Sequence, residues 1–123
     1  MTAIVIDDDS AVANTFAEYL TMNNVCILGI GYDGKDAVEL YQRFRPDVVF
    51  LDLMMPEYDG FYGLEKIKQL NQTSKVVMVT ADPTNCSSAK MQRLGADMIL
   101  YKPFELDAIH SAILRLIRYG VVS

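Results

Sequence analysis

Two apolar segments of the sequence each end in acidic residues. The stretch AIVI, residues 3–6, is followed by Asp7 and Asp8, and the stretch VVFL, residues 48–51, is followed by Asp52. Short β-branched runs of this kind are typical of buried strands. Two carboxylates about 4 Å apart repel each other by roughly 4 kcal/mol at an effective dielectric constant of about 20. Acids that meet at strand ends therefore need a proton or a cation between them.

Two further apolar runs end in residues that suit an anionic ligand. Thr80 closes the run VVMVT, and Lys102 follows MILY. An all-oxygen set of carboxylates suits Mg²⁺ or Mn²⁺, while the ammonium of Lys102 and the hydroxyl of Thr80 can each donate to a phosphoryl oxygen. With a metal on one side and Lys102 on the other, Asp52 is the natural nucleophile for forming an acyl phosphate.

The elements that must position these residues alternate along the whole chain. The five predicted strands are Ala3–Ile6, Val25–Ile30, Val48–Leu53, Lys75–Thr80 and Met98–Tyr101. Five helices are predicted to follow them. The first has Ser10 as its N-cap, the second begins at Asp33–Gly34 and ends at Arg45–Pro46, and the third begins just after Gly60. The fourth runs from Pro83, in its first turn, to Leu94, and the fifth runs from about Glu105 to Tyr119 with Gly120 as C′.

Strict alternation of strands and helices predicts a parallel sheet with helices on both faces. We expect one α/β domain over residues 1–123, a flavodoxin-like (βα)5 fold with strand order 2-1-3-4-5. In such a fold the ligand binds beyond the carboxyl ends of the strands, where the strand order reverses. That point lies between strands one and three, so we expect Asp7, Asp8 and Asp52 to be neighbours.

Composition excludes several classes of function. The chain has 123 residues and a net charge of −5, which argues against direct nucleic-acid binding. Its apolar runs are too short for a signal peptide or a membrane span. Cys26 and Cys86 lie far apart without a metal-binding pattern, so we expect two reduced thiols in or near a core. These features together predict a cytoplasmic protein.

Four motifs in this order carry a resemblance: IVIDDDS, PDVVFLDLMMPEYDG, VVMVTA and GADMILYKPF. The chain resembles the receiver domain of two-component response regulators over residues 3 to about 119, in the manner of single-domain chemotaxis regulators. The resemblance implies that Asp52 accepts a phosphoryl group from the phosphohistidine of a histidine kinase. Such a protein is a signalling phospho-acceptor rather than an enzyme acting on a separate substrate.

The resemblance also implies roles around the acceptor. The carboxylates of Asp8 and Asp52 and the backbone carbonyl of Met54 are expected to bind Mg²⁺, with Asp7 joining through water. The expected contacts to the phosphoryl group come from Thr80, Lys102 and the backbone N–H groups of Met54 and Ala81. The Lys102–Pro103 peptide bond is expected to be cis.

One position departs from the family pattern. In the family, the third residue before the lysine is usually Tyr or Phe, whose ring turns inward when the threonine at the position of Thr80 moves. In this sequence that residue is Ile99. Isoleucine has no ring and is stiff at χ1. We therefore expect switching to depend on Thr80, the loop after strand four and repacking of helix four.

The expected partners follow from the same resemblance. A histidine kinase or phosphotransfer protein would supply the phosphoryl group, and a downstream protein would dock on the face formed by helix four, strand five and helix five. Direct nucleic-acid binding and membrane insertion are not expected, and the chain is expected to be a monomer or a weak dimer.

Two other interpretations remain open on the sequence. One is a receiver-like module that binds its partner without phosphorylation. The segment GIGYDG, from Gly29 to Gly34, also matches the dinucleotide fingerprint G-x-G-x-x-G. Against a nucleotide-binding domain, Asp33 and Asp36 would place negative charge where a pyrophosphate must lie.

Overall fold

The structure is a computed structural model that describes residues 1–103 and 105–118. The strands are β1 (Thr2–Ile6), β2 (Cys26–Gly31), β3 (Val48–Asp52), β4 (Lys75–Thr80) and β5 (Met98–Tyr101). The helices are α1 (Ser10–Met22), α2 (Gly34–Phe44), α3 (Gly60–Leu70), α4 (Asn85–Arg93) and α5 (Leu106–Arg118). The predicted alternation is confirmed.

The five strands form one parallel sheet in the order β2-β1-β3-β4-β5. The predicted doubly wound, flavodoxin-like fold is therefore confirmed, with β1 and β3 adjacent at its centre. Because parallel strands run in one direction, their carboxyl ends all reach the same edge of the sheet.

Successive side chains of the central strands enter two different cores. One core lies against α1 and α5 and includes Val5, Phe50, Val77, Phe16 and Ile109. The other lies on the opposite face and includes Ile6, Leu51, Met78, Leu64 and Ile67. Full burial of one such side chain contributes about 1.5–3 kcal/mol. Because side chains alternate along a strand, the position of a residue at a strand end decides on which face of the sheet its side chain lies.

Four helices begin at N-cap side chains that accept backbone N–H groups. The caps are Asp9, Asp33, Asp59 and Thr84, for α1 to α4 respectively. The prediction of Ser10 as the first N-cap was wrong, because the carboxylate of Asp9 accepts the N–H groups of Ala11 and Val12. Ser10 is instead the first residue inside α1.

Other boundaries also differ from prediction. Pro83 precedes the N-cap of α4 and does not lie in its first turn, because the Thr84 hydroxyl captures the Ser87 N–H. Strand β2 lies one residue later than predicted, at Cys26–Gly31, and α2 ends as predicted with Arg45 in a left-handed conformation. The predicted end of the last helix, Tyr119 with Gly120, lies outside the described residues.

The two thiols are unpaired, as predicted, but the expectation that they lie in or near a core was wrong. Cys26 and Cys86 are both free and exposed. Cys26 opens the edge strand β2, and Cys86 lies in the first turn of α4. Within the described part of the chain, no helix has the length and apolar character to cross a membrane.

Candidate functional site

Strand alternation brings three of the predicted site residues to one face of the sheet edge. Asp52 lies two residues after Phe50 in β3 and so lies on the same face of the sheet, and Asp7 lies two residues after Val5 of β1. Both strand residues belong to the core beneath α1 and α5. Lys102, two residues beyond Leu100, reaches the same space from the end of β5.

The three acids and the lysine form one compact cluster. A carboxylate oxygen from each of Asp7, Asp8 and Asp52 lies within 4.8 Å of the others. The Nζ atom of Lys102 lies 2.9 Å from Asp7 Oδ2 and 3.7 Å from Asp52 Oδ1. The second oxygen of Asp7 accepts the backbone N–H of Asp9 at 2.9 Å. Asp7 and Asp52 are buried, whereas Asp8 is exposed.

The surroundings of Asp52 oppose its ionisation. Burial raises the pKa of Asp52, Lys102 opposes that rise, and the negative charges of Asp7 and Asp8 add to it. The net result is a pKa of about 6, compared with the ordinary value of 3.8. Asp52 is therefore ionised at neutral pH, as a nucleophile must be, but its charge is incompletely balanced.

Lys102 experiences the opposite balance. Burial disfavours its ammonium, but the hydrogen bond to Asp7 and the charge of Asp52 outweigh burial and raise the pKa of Lys102. The lysine therefore stays protonated at neutral pH and compensates part of the acidic charge. The Lys102–Pro103 peptide bond is cis, as the resemblance implied.

Thr80 is fully buried at the end of β4 and is part of a chain of hydrogen bonds to α4. Its Oγ1 accepts the backbone N–H of Asp82 at 2.9 Å. The Asp82 carboxylate in turn accepts the Ser87 hydroxyl at 2.5 Å and the Thr84 N–H at 2.9 Å. These bonds, led by that from Ser87, lower the pKa of Asp82. The end of β4 is thus connected to the first turn of α4.

The remaining predicted site residues lie in or directly after β3, β4 and β5. Met54 follows β3 with 63% of its surface exposed, and Ala81 is exposed immediately after Thr80. Ile99 is half-buried in β5 and packs against the core opposite α1 and α5.

The donor set fits a hard divalent cation. Three carboxylates supply only oxygen, and hydrated Mg²⁺ binds through few protein oxygens while keeping several waters. Lys102 already pairs with Asp7, so Asp8 and Asp52 are the acids least engaged by other protein groups. The geometry is consistent with a Mg²⁺ site at this edge.

The glycines of the fingerprint-like segment have packing roles. The Gly34 N–H donates to the Tyr58 carbonyl at 2.6 Å, and a Cβ at Gly34 would strike the carbonyl oxygens of Tyr58 and Asp59. At the same helix start, Asp33 accepts the Asp36 N–H at 2.7 Å. The chain's own carboxylate thus occupies a place that a pyrophosphate would need.

Comparison with known proteins decides between these interpretations. The family model described as "Response regulator receiver domain" matches residues 3–114. The chain belongs to this family. As a receiver domain it is a phospho-accepting response regulator of a two-component system, a signalling phospho-acceptor and not a conventional enzyme.

Curated relatives of this receiver domain include two proteins of Bacillus subtilis. The chemotaxis protein CheY is 29% identical over 110 residues, which cover 89% of this chain and 92% of CheY. Protein CcdB is 33% identical over 112 residues, which cover 91% of this chain and 93% of CcdB.

Solved receiver structures share the fold. A BeF3-activated DrrB receiver domain is 26% identical with a TM-score of 0.83, covering 95% of this chain and 97% of that chain. The crystal structure of a CheX–CheY–BeF3–Mg²⁺ complex from Borrelia burgdorferi gives a TM-score of 0.90 at 22% identity, covering 95% of this chain and 89% of that chain.

Two features of this receiver domain were missed in the sequence. The first is the hydrogen bond from the Ser87 hydroxyl in the first turn of α4 to Asp82, which the spacing of polar residues after Thr80 could have indicated. The second is a contact between α3 and α4, where the Lys90 ammonium lies 4.2 Å from the centre of the Phe61 ring. Nothing in the local sequence pairs residues from two different helices.

Proposed function

We propose that Asp52 accepts a phosphoryl group from the phosphohistidine of a histidine kinase or phosphotransfer protein. The observation that carries this proposal is the cluster of Asp7, Asp8 and Asp52 within 4.8 Å, with Lys102 at its edge. In the reaction a carboxylate oxygen of Asp52 forms the new O–P bond as the P–N bond breaks. The electron pair of the P–N bond stays on the histidine nitrogen.

Each neighbour has a proposed part in that transfer. Lys102 turns from Asp7 towards a phosphoryl oxygen, and the Thr80 hydroxyl donates to another. The backbone N–H groups of Met54 and Ala81 donate to the remaining oxygens. The strand ends place these donors close to Asp52, and Lys102 and Thr80 then reorient to the phosphoryl oxygens.

A divalent cation completes the proposed site. Asp8, Asp52 and the backbone carbonyl of Met54 would hold Mg²⁺ or Mn²⁺, with Asp7 joining through water. When bound, the cation supplies charge stabilisation for the transferred phosphoryl group. The all-oxygen donor set supports this assignment.

The signal itself is proposed to pass through the buried Thr80. Its hydroxyl accepts the Asp82 N–H, and the Asp82 carboxylate accepts the Thr84 N–H and the Ser87 hydroxyl at the start of α4. If Thr80 turns to the phosphoryl group, this connection must rearrange and α4 must repack. Ile99 has no ring to take part in the change, so α4 rather than β5 would transmit it.

The proposed setting is a single cytoplasmic receiver domain over residues 1–123, as a monomer or weak dimer. It would signal to a downstream protein through the face of α4, β5 and α5. Leu106 and Leu114 of α5 and Tyr101 of β5 are exposed apolar residues on these elements. Apolar side chains surrounded by polar ones suit a protein partner.

Intact mass after incubation with acetyl phosphate tests the proposal. We expect the mass to rise by about 80 Da, the mass of one covalently attached phosphoryl group. This gain should require both Mg²⁺ and Asp52. Asp52→Asn should abolish the gain. Asp47→Asn is the matched control, because Asp47 lies before β3 at the other end of the strand and bonds Thr2.

Two outcomes would count against the proposal. Labelling that persists in Asp52→Asn would place the acceptor elsewhere. If acetyl phosphate, beryllofluoride and a histidine kinase all left the protein unmodified, the receiver would be a module that binds its partner without phosphorylation.

A further inference from the structure

We propose that a cleft beside Asp52 binds an arginine side chain of the protein that presents the phosphohistidine. This inference rests on the proposed phosphotransfer at Asp52, whose protein donor it characterises. The cleft has a volume of about 420 Å³ and lies between the loop after β3 and the start of α4. Its lining includes Met54, Pro56, Asp59, Phe61, Asp82 and Ser87.

Most of the residues that line the cleft are apolar. They include Met54, which is 63% exposed, Pro56 and the half-buried Phe61. Such a surface suits the aliphatic stem of a long side chain. Methionine adapts its shape to different occupants because it is unbranched and flexible.

Two carboxylates give the cleft its charge. Asp59 uses Oδ1 to accept the Tyr62 N–H, and Asp82 accepts from Ser87 and Thr84. A carboxylate has about four acceptor positions, so each can still accept a further donor. No cation is among the described residues that line the cleft, and the Lys90 ammonium lies beside it at the Phe61 ring. The cleft is therefore complementary to a positively charged group.

Phe61 adds an aromatic ring that can bind a cation. Its ring already interacts with the ammonium of Lys90, whose Nζ lies 4.2 Å from the ring centre. A guanidinium can stack on an aromatic ring and donate to a carboxylate in two parallel bonds, which an ammonium cannot do. Arginine thus matches the apolar lining and the carboxylates, and its guanidinium would compete with Lys90 for the ring.

The position of the cleft identifies the partner. Its lining begins at Leu53, the residue directly after Asp52. A protein that brings a phosphohistidine to Asp52 must cover this loop, whereas a protein docked on the face of α4, β5 and α5 need not. An arginine near the donor histidine would therefore align the two proteins before transfer.

Methionine methyl NMR tests whether the cleft binds arginine. The probe is N-acetyl-arginine amide, and N-acetyl-citrulline amide is its neutral isostere. We expect the arginine probe to shift the methyl signals of Met54 and Met55, which line the cleft, and to leave exposed Met22 of α1 unchanged. Equal shifts with both probes, or shifts with neither, would overturn the proposal.

Matched variants locate the binding. Asp59→Asn keeps a capping oxygen but removes the charge, and Phe61→Leu removes the ring. Each variant should weaken the binding of the arginine probe, raising its Kd by about threefold or more. Asp33→Asn, the same change at the N-cap of α2 outside the cleft lining, should not. Unchanged binding in both cleft variants would contradict the assignment.

Phosphotransfer tests the identity of the partner. The donors are helical peptides whose histidine has been phosphorylated with phosphoramidate. Each peptide carries arginine at one position near the histidine, and its matched peptide carries citrulline at the same position. We expect one arginine peptide to label the receiver several times faster than its citrulline match, and Asp59→Asn to remove the difference. Labelling by acetyl phosphate, which has no arginine, should be the same in parent and Asp59→Asn.

The outcomes separate this inference from the proposed function. Labelling by acetyl phosphate with equal rates from all peptides would overturn the arginine site and leave phosphotransfer to Asp52 standing. If none of the donors labels the protein, the proposed function is wrong, and the proposed phosphohistidine partner is wrong with it.

Discussion

At the scale of single residues, the carboxylate of Asp52 lies where burial and two neighbouring acids oppose its charge. Its pKa of about 6 exceeds the ordinary 3.8, so the folded protein keeps a proton at pH values where the unfolded chain has lost it. The stabilisation from protonated Asp52 is complete below about pH 4 and is lost as the pH rises through about 6.

Replacing Asp52 with Asn should therefore stabilise the metal-free fold in a pH-dependent way. We expect Asp52→Asn to raise the free energy of unfolding by about 1–2 kcal/mol at pH 8, after allowance for solvent screening, and by much less at pH 4. Urea denaturation in EDTA at both pH values measures the difference. A gain that is equal at pH 4 and pH 8 would contradict this account.

Lys102 should have the opposite effect on stability. Lys102→Met leaves Asp7 and Asp52 without their nearest cation, and we expect a loss of about 2–3 kcal/mol in EDTA at pH 7. Added Mg²⁺ should restore more stability to this variant than to the parent, because a cation replaces the lost charge. Lys75→Met is the control, since Lys75 contacts the partly exposed Asp97 at 3.8 Å and should lose less than about 1 kcal/mol.

At the scale of elements, the tight contact between α2 and the loop before α3 depends on Gly34. We expect Gly34→Ala to cost about 2–3 kcal/mol, because its Cβ would meet rigid backbone carbonyls. Gly29→Ala should cost less than about 1 kcal/mol, since its Cβ would meet the flexible side chain of Leu40. Thermal unfolding of both variants compares them, and similar losses would contradict the packing role.

Helix α4 is the element best suited to move. Met91 is its buried residue, while its first turn is held by Asp82 and Ser87. A helix attached by few buried side chains and one polar cap can repack at low energetic cost. This arrangement gives the proposed switch a structural element despite the absence of a ring at Ile99.

At the scale of the whole molecule, metal binding should be coupled to folding. A cation that binds only the folded state at about 100 times its Kd adds about 2.7 kcal/mol. We expect saturating Mg²⁺ to raise the Tm by roughly 5–10 °C for a domain of this size. Differential scanning calorimetry with Mg²⁺, with EDTA and with matched NaCl measures the shift.

The control for this coupling is Asp8→Asn. Asp8 is exposed, so its replacement should leave the Tm in EDTA nearly unchanged while removing most of the Mg²⁺-dependent shift. An undiminished shift in Asp8→Asn would show that the cation binds elsewhere on this acidic protein.

Much of the architecture could be predicted because it follows from local periodicity. Apolar β-branched runs predict strands, and alternation with amphipathic segments predicts the parallel sheet. The acids of β1 and β3 could be predicted as neighbours because strand order 2-1-3-4-5 leaves β1 beside β3. Helix starts were less predictable: Asp9 and Ser10 both suit an N-cap, and only backbone geometry chooses between them.

The sequence by itself determined the fold class, the strand-end acids and the lysine that lies among them, because these depend on residue type and short-range spacing. Only the tertiary structure decided that Lys102 pairs with Asp7 more closely than with Asp52, that both cysteines are exposed, and that Asp82 connects Thr80 to α4. These features depend on distances between side chains far apart in the chain. Such distances are set by how strands and helices pack together, which no local pattern records.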